Sequence, residues 1–324
     1  CFSPDHKILT NSGWIGVDRL EKYHKVASLK EGNLVYENPT EIMAFDSPER
    51  MIEIDSNQVS FCVTPNHNMY VRKRCETKYS LQRADSLLGK NVYFKKTACL
   101  NIKGPTTFEI PVINRSFRIE SWLVFFGLWF SESQTSQNQI RLIVNQNYKE
   151  YLNLHLKFLG LNFEIYKESL AIIYDKDLSD YLSCVEKSRL PTWVWGLNQT
   201  QCKLLLTGLT LNKMGYMKNR IHTFFSSLKD DIMRLVLHCG YSSNAYIVLD
   251  GNSRSILDVL EIVIDKTEET FVMKDSIRQC KPKSNKVYCC TVPSGLLYVR
   301  RTFENNKISQ RPAWIGNSAR HGQF

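Results

Sequence analysis

Over its first hundred residues the chain shows almost no helical periodicity, and that absence constrains the fold more than any other feature. Short β-like runs alternate there with turn residues: residues 7–10 precede Asn11-Ser12-Gly13, and residues 14–17 follow. Residues 25–29 and 34–36 face each other across Glu31-Gly32-Asn33, and residues 51–54 meet 58–63 across Ser56-Asn57. The same texture returns far downstream, where residues 286–292 and 296–301 flank Pro293-Ser294-Gly295. A chain without an amphipathic stripe has to satisfy its backbone by pairing strands, so both ends are predicted to be mainly β.

The texture changes beyond Pro105. Tyr148, Tyr151, Leu152, His155, Leu156 and Leu159 recur at helical spacing before Gly160, which predicts an amphipathic helix with a C-terminal stop. A second helix is expected over 228–239, with Ser227 as N-cap and Gly240 beyond its end. Strands are expected at 140–144, 163–166 and 171–174, which makes the middle α/β. β-rich ends around an α/β middle imply one β domain interrupted by another, because a surface loop tolerates insertion when its two ends are close.

Composition fits this division. A chain of 324 residues has room for two domains, and 43% hydrophobic with 23% charged residues describes ordinary globular protein. The net charge of +10 is spread over several segments; it suits contact with a polyanion and equally suits a plain solvated surface. The ten cysteines form no CxxC pair, so they are expected to be mostly reduced and buried, and a zinc site is not expected. The longest apolar stretch, 122–130, is far short of the roughly 20 residues of a membrane span, and no signal-peptide layout opens the chain. A soluble, intracellular, monomeric protein without membrane contact is therefore expected.

The two ends carry nucleophiles. The Cys1 thiol suits attack on the carbonyl of a preceding peptide bond to give a thioester, and Asn317-Ser318 lies near the other end. Residues 1–10, CFSPDHKILT, resemble the opening motif of inteins, and residues 63–71, VTPNHNMYV, resemble their Thr-x-x-His block. Residues 287–295, VYCCTVPSG, look like the penultimate block, and Gly316-Asn317-Ser318 like the terminal one.

This resemblance implies a mainly β Hedgehog/intein (HINT) horseshoe-like splicing domain, built from 1–105 and 276–317, with an insert over 106–275. It also implies autocatalytic splicing, with flanking host segments in cis as the partners and no cofactor. His67 would hydrogen-bond and protonate the nitrogen of the scissile amide, with Thr64 supporting the same linkage. Ser318 would take over the acyl group from Cys1, helped by proximity, and Asn317 would cyclise to a succinimide and release the intein. Residues 318–324 would then belong to the downstream host; their Arg320-His321-Gly322-Gln323 run is similar to a segment of the second-largest RNA polymerase subunit. The chain departs from the family pattern twice. Cys289 stands where an aspartate usually assists proton transfer, and would relay the proton as a thiol. Gly316 stands where a histidine usually precedes the asparagine, and no histidine lies between Val287 and Asn317, so asparagine cyclisation is expected to be the slow step.

In the middle, residues 125–133, FFGLWFSES, and 206–214, LTGLTLNKM, resemble the two helix motifs of LAGLIDADG homing endonucleases, and the likeness extends over about 109–272. It implies two helices packed face to face through Gly127 and Gly208, the second capped by Asn198 with Gln201 three residues on. Each helix of that family ends in an acid that holds a divalent metal against double-stranded DNA. Glu132 fills the first metal position, but Lys213 fills the second, and an ammonium repels a cation that wants carboxylate oxygens. The insert is thus expected to be a degenerate endonuclease that keeps at most DNA binding, the alternative being an active, Mg2+-dependent one. A hedgehog-like autoprocessing domain shares the fold and cysteine but lacks the Asn-Ser terminus. A basic two-domain binder without chemistry would require four accidental motifs.

Overall fold

The computed structural model describes residues 1–136, 138–213, 215–248, 259–302 and 309–317. The chain divides into two compact units. One comprises Cys1–Leu100 with the described part of Gly240–Phe324, and the other is Asn101–Cys239.

The first unit is built almost wholly of strands. His6–Thr10 forms the expected hairpin with Gly13–Gly16, where Gly13 takes a φ of +105° that other side chains rarely adopt. Val26–Lys30 and Asn33–Glu37 form the second hairpin around Gly32, and Met51–Asp55 with Ser60–Val63 the third. Long-range pairings close the unit. Leu296–Arg301 lies antiparallel to His6–Thr10 on one side and to Ala313–Gly316 on the other, which makes one sheet from both ends of the chain. Glu269–Val272 pairs with Val92–Lys95, which in turn pairs with Asn68–Arg72. The core between these sheets is apolar, with Phe2, Ile8, Phe61, Val63, Met69, Phe94, Leu297 and Ile315 buried.

The chain rejoins this unit at Gly240, earlier than the expected boundary at 275. Ser242–Val248 and Val259–Asp265 pair along their whole described length. The buried Lys96 also donates to the Asn244 carboxamide oxygen at 2.8 Å and to the Gln58 carbonyl at 2.7 Å. These bonds form between residues far apart in sequence, so no local pattern marks the rejoining point.

The second unit contains five helices among its described residues: α1 Ile119–Glu132, α2 Lys149–Phe158, α3 Lys176–Ser183, α4 Gln199–Thr210 and α5 Ser226–His238. Its four-stranded sheet runs in the order Ser133–Ser136, Gln139–Ile143, Leu170–Tyr174, Phe163–Tyr166. Helix α1 is buried at Ile119 and from Ser121 to Phe130, as an element at the centre of a domain has to be. It packs on α4 through the two glycines singled out above. A Cβ at Gly127 would lie 2.6 Å from the Leu205 carbonyl oxygen, and one at Gly208 would lie 2.5 Å from that of Val124. Helix α4 begins with the expected capping box of Asn198 and Gln201. Helix α5 begins one residue before Ser227, which is not its cap; the Ser227 hydroxyl donates instead to the Ser188 carbonyl at 2.7 Å. No described helix is long and apolar enough to cross a membrane.

Candidate active site

Residues 1–3 run extended between Ser60–Val63 and Lys286–Thr291. The Phe2 N–H donates to the Tyr288 carbonyl at 2.7 Å, and the Tyr288 N–H returns to the Phe2 carbonyl at 2.9 Å. On the other side Ser3 N–H donates to the Cys62 carbonyl at 3.1 Å, and Thr64 N–H to the Cys1 carbonyl at 2.9 Å. This inserted segment places the Cys1 nitrogen 2.9 Å from Thr64 Oγ1 and 3.0 Å from His67 Nδ1. The Thr64 hydroxyl gives its own proton to Asn66 Oδ1 at 2.9 Å, so a lone pair is left facing the Cys1 nitrogen.

His67 is fully buried, and the Phe2 ring meets it edge-on with centroids 4.6 Å apart. Burial holds its pKa well below the ordinary histidine range, the nearness of the Cys1 amine and of His6 adds to this, and a hydrogen bond with the Gly316 backbone opposes it. The imidazole is neutral at pH 7. A proton on Nε2 suits both neighbours, since Nδ1 then accepts from the Cys1 N–H while the ring N–H faces Gly316; this tautomer is assigned from the hydrogen bonds.

Gly316 ends the strand Ala313–Gly316, opposite Leu296. A Cβ there would come within 2.7 Å of the Asn68 carbonyl oxygen and 2.9 Å of Asn68 Cβ. The first is backbone and cannot swing aside, so position 316 has no room for a side chain. Asn317 is pinned through its carboxamide, Oδ1 accepting from Val292 N–H at 3.2 Å and Nδ2 donating to the Val292 carbonyl at 3.0 Å. Its own N–H donates to the Gly295 carbonyl at 2.8 Å. Segment 64–68 therefore touches Cys1 with one part and Gly316 with another, although the two are at opposite ends of the sequence. Ser318 lies outside the described residues, as do residues 319–324. We expect Gly316→His to destabilise the β unit by about 2–3 kcal/mol through overpacking. Unfolding in urea checks this, and an undiminished stability would contradict it.

The expectation of mostly reduced, buried cysteines holds for the free thiols of Cys62, Cys202, Cys239 and Cys290. The exceptions are Cys1 and Cys289, buried but joined as a disulfide with Cα atoms 4.5 Å apart, and Cys75, Cys99 and Cys184, which are exposed. Cys62 and Cys280 bring their sulfurs to 4.0 Å, and burial pushes the Cys62 thiol up to about 12. A cleft of about 550 Å³ opens beside Cys1, lined also by Asp46, Glu49, Arg50, Thr64 and Arg83.

Behind Cys1 lies a network that the sequence did not announce. His6 Nε2 accepts from Cys62 N–H at 3.2 Å, Asp5 bonds both His6 and Arg301, and Arg301 reaches Glu53 at 2.8 Å. Burial pushes the Asp5 carboxyl up, but its hydrogen bond with His6 and the Arg301 guanidinium outweigh this and hold it below its usual range. These residues come from four separate strands or loops, and no spacing rule links them.

In the second unit Glu132 and Lys213 meet. Lys213 Nζ lies 3.0 Å from Glu132 Oε1, and Asn212 Nδ2 donates to Glu132 Oε2 at 3.1 Å. Both oxygens of the carboxylate are thus engaged, one of them by a cation. These residues do not fit a divalent metal. Among the described residues no group of three or more His, Cys, Asp or Glu is arranged to hold one.

No family model matches the chain. Two curated proteins are similar to it. One is the C-terminal section of the DNA-directed RNA polymerase β subunit of Stigeoclonium helveticum, 29% identical over 412 aligned positions that take in 100% of this chain and 37% of that protein. The other is the ATP-dependent Clp protease proteolytic subunit of Chlamydomonas moewusii, 32% identical over 302 positions, with 80% of this chain and 30% of that protein covered. The chain thus spans about a third of the length of these relatives. Among solved structures, a splice-inactive, glutathione-linked variant of the AceL NrdHF class 3 split intein is similar at a TM-score of 0.34 and 9% identity, covering 98% of each chain. A bacterial intein-like domain from Clostridium thermocellum is similar at a TM-score of 0.23 and 18% identity, covering 28% of this chain and 63% of that one.

Proposed function

We propose that this chain is a protein-splicing element, an intein, that excises itself from a host protein and joins the flanking segments. One observation carries the reading: the Cys1 nitrogen sits between Thr64 Oγ1 and His67 Nδ1, on the same short segment against which Gly316 packs. The two relatives support it from a different direction. A polymerase subunit and a protease subunit share no named activity, yet each resembles most or all of this chain over about a third of its own length. That is the pattern of one element lodged in different hosts.

The chemistry follows from the positions. In the unspliced chain the Cys1 sulfur attacks the carbonyl carbon of the preceding residue. His67, neutral because it is buried, takes the Cys1 thiol proton at Nδ1 and passes it to the Cys1 nitrogen 3.0 Å away as the C–N bond breaks, leaving a thioester. The Ser318 hydroxyl then attacks the thioester; the acyl group moves to oxygen, the C–S bond breaks, and the Cys1 sulfur leaves with the hydroxyl proton as a thiol. Asn317 Nδ2 attacks its own backbone carbonyl carbon, which forms a succinimide and expels the Ser318 nitrogen. That nitrogen finally takes the acyl group from oxygen and a peptide bond results. Asn317 starts from a clamped rotamer that has to be released from Val292, and it has no neighbouring histidine at 316, so its cyclisation limits the rate.

The second unit we read as a LAGLIDADG-type homing-endonuclease domain that has lost its metal site to Lys213, with DNA binding through basic side chains as its remaining capacity. Purified protein incubated with magnesium and DNA carrying the uninterrupted host gene is expected to leave the DNA intact, and a site-specific cut would reverse this reading.

Expression between two unrelated flanking proteins, with mass spectrometry of the products, tests the proposal as a whole. Ligated flanks are expected, and Cys1→Ala removes them. Asn317→Ala leaves a branched or N-terminally cleaved species. A chain that stays intact between its flanks under reducing conditions would refute splicing. A timed comparison of the two junctions tests the slow step, which is misassigned if C-terminal cleavage outruns thioester formation.

A further inference from the structure

We propose that Cys1 and Cys289 form a reversible dithiol site that reacts with small disulfides and thiols and switches the splicing nucleophile off and on. This rests on the splicing reading, and it adds a modification site that splicing itself does not need.

The register of the strands creates the site. Phe2 and Tyr288 exchange both of their backbone hydrogen bonds, so they are a hydrogen-bonded pair of an antiparallel ladder. The next pair along such a ladder is a non-hydrogen-bonded one, in which Cα atoms approach to about 4.5 Å and the side chains are closest. Cys1 and Cys289 occupy that position, and their Cα separation is 4.5 Å. A disulfide spans that separation without backbone movement. Both residues are buried, in a small cluster with Met51, Cys62 and Val287, so once the strands pair the sulfurs have little freedom to part.

Access is one-sided. Cys1 lines the cleft of about 550 Å³, as does Val287, whereas Cys289 is not among its lining residues. The cleft carries Asp46 and Glu49 as well as Arg50 and Arg83, so a small neutral disulfide meets no uniform field of one sign. The Cys1 thiolate attacks one sulfur of such a disulfide, RSSR; its S–S bond breaks, and one RS⁻ leaves and takes up a proton. Cys289, as thiolate, then attacks the Cys1 sulfur of the mixed disulfide and expels the second RS⁻, which is protonated in turn. Two cysteine thiols are oxidised and one small disulfide is reduced to two thiols. A thiol entering the cleft reverses both steps. While the Cys1–Cys289 bond exists, the sulfur that would open the scissile amide holds no thiolate, and the first splicing step cannot begin.

The precursor, meaning the full chain between its two flanking proteins, is treated with 2-hydroxyethyl disulfide and mapped by mass spectrometry under non-reducing conditions. Its splicing rate is compared before treatment, after treatment and after re-reduction with a phosphine. The expected result is a peptide pair joined through Cys1 and Cys289, a splicing rate lowered by about tenfold or more, and recovery on re-reduction. Cys289→Ser, read only as the treated-to-untreated ratio of its own rate, should give a ratio near unity, while Cys62→Ser should keep the full drop. The proposal is overturned if the two peptides are never joined, if the joined precursor splices as fast as the reduced one, or if Cys289→Ser is inhibited as strongly as the parent. If the reduced precursor yields no ligated product although the peptides join, splicing is refuted and the switch with it, and the linkage stands as a bare modification.

Discussion

Substitution of His67 by glutamine is expected to lower thiol-induced cleavage at the upstream junction by at least about a hundredfold, the low end of what a positioned proton donor contributes. Glutamine keeps a hydrogen-bonding side chain of similar reach but cannot carry a proton from one step to the next. Nδ1 of His67 is 3.0 Å from the nitrogen that has to be protonated, and Thr64 Oγ1 holds the same nitrogen from another direction at 2.9 Å. Thr64→Val should therefore cost less, about tenfold, because it removes one hydrogen bond and leaves the proton carrier in place. The pH response separates chemistry from structure. His67 has its pKa depressed by burial, so the folded protein binds its proton more weakly than the unfolded chain does. Stability tied to this group is present above the unfolded-state pKa and is lost as the pH falls below it, a loss that His67→Gln removes. A variant that unfolds at neutral pH would show only that the ring is structural. A folded variant that still cleaves within about tenfold of the parent would end the assignment of His67 as the proton carrier.

The second large effect is expected far from that site. Gly127→Val should destabilise the α/β unit by more than about 3 kcal/mol, beyond the usual range for an overpacked core. Replacing glycine inside a helix normally stabilises it by up to about 1 kcal/mol, so propensity alone points the other way. Geometry outweighs it. A Cβ on Gly127 would stand 2.6 Å from the Leu205 carbonyl oxygen, 2.8 Å from the Leu209 nitrogen and 2.9 Å from the Gly208 carbonyl carbon, all of them backbone atoms of α4. The two helices would have to separate, and the contacts of the buried Trp122, Phe126 and Trp129 would loosen with them. Urea unfolding followed by tryptophan fluorescence reads this directly. A loss smaller than about 1 kcal/mol would mean that the close approach of α1 and α4 is wrong.

Local chemistry made a good part of the fold legible. Gly32 supplies the turn between Val26–Lys30 and Asn33–Glu37, the Asn198–Gln201 box starts α4, and the stripe from Tyr148 to Leu159 appears as a short 3-10 turn leading into α2, with Leu152 and Leu156 buried. Each of those signals acts within a few residues. The buried α1 needed the family resemblance, because a helix buried on every side has no amphipathic period to read. The strands 242–248 and 259–265 belong to the first unit for reasons equally hidden: nothing in their own residues says which sheet they join.

By itself, then, the sequence determined which residues could do chemistry, Cys1, Thr64, His67, Glu132, Lys213 and Asn317, and where the chain turns, since side-chain type and turn geometry are local properties. Only the tertiary structure decided who meets whom. It paired Phe2 with Tyr288 and so set Cys1 against Cys289, it filled the space beside Gly316 with Asn68, and it gave the Glu132 carboxylate to Lys213. Strand register and helix contact are set by the sum of many weak, distant interactions, and no short stretch of residues contains that sum.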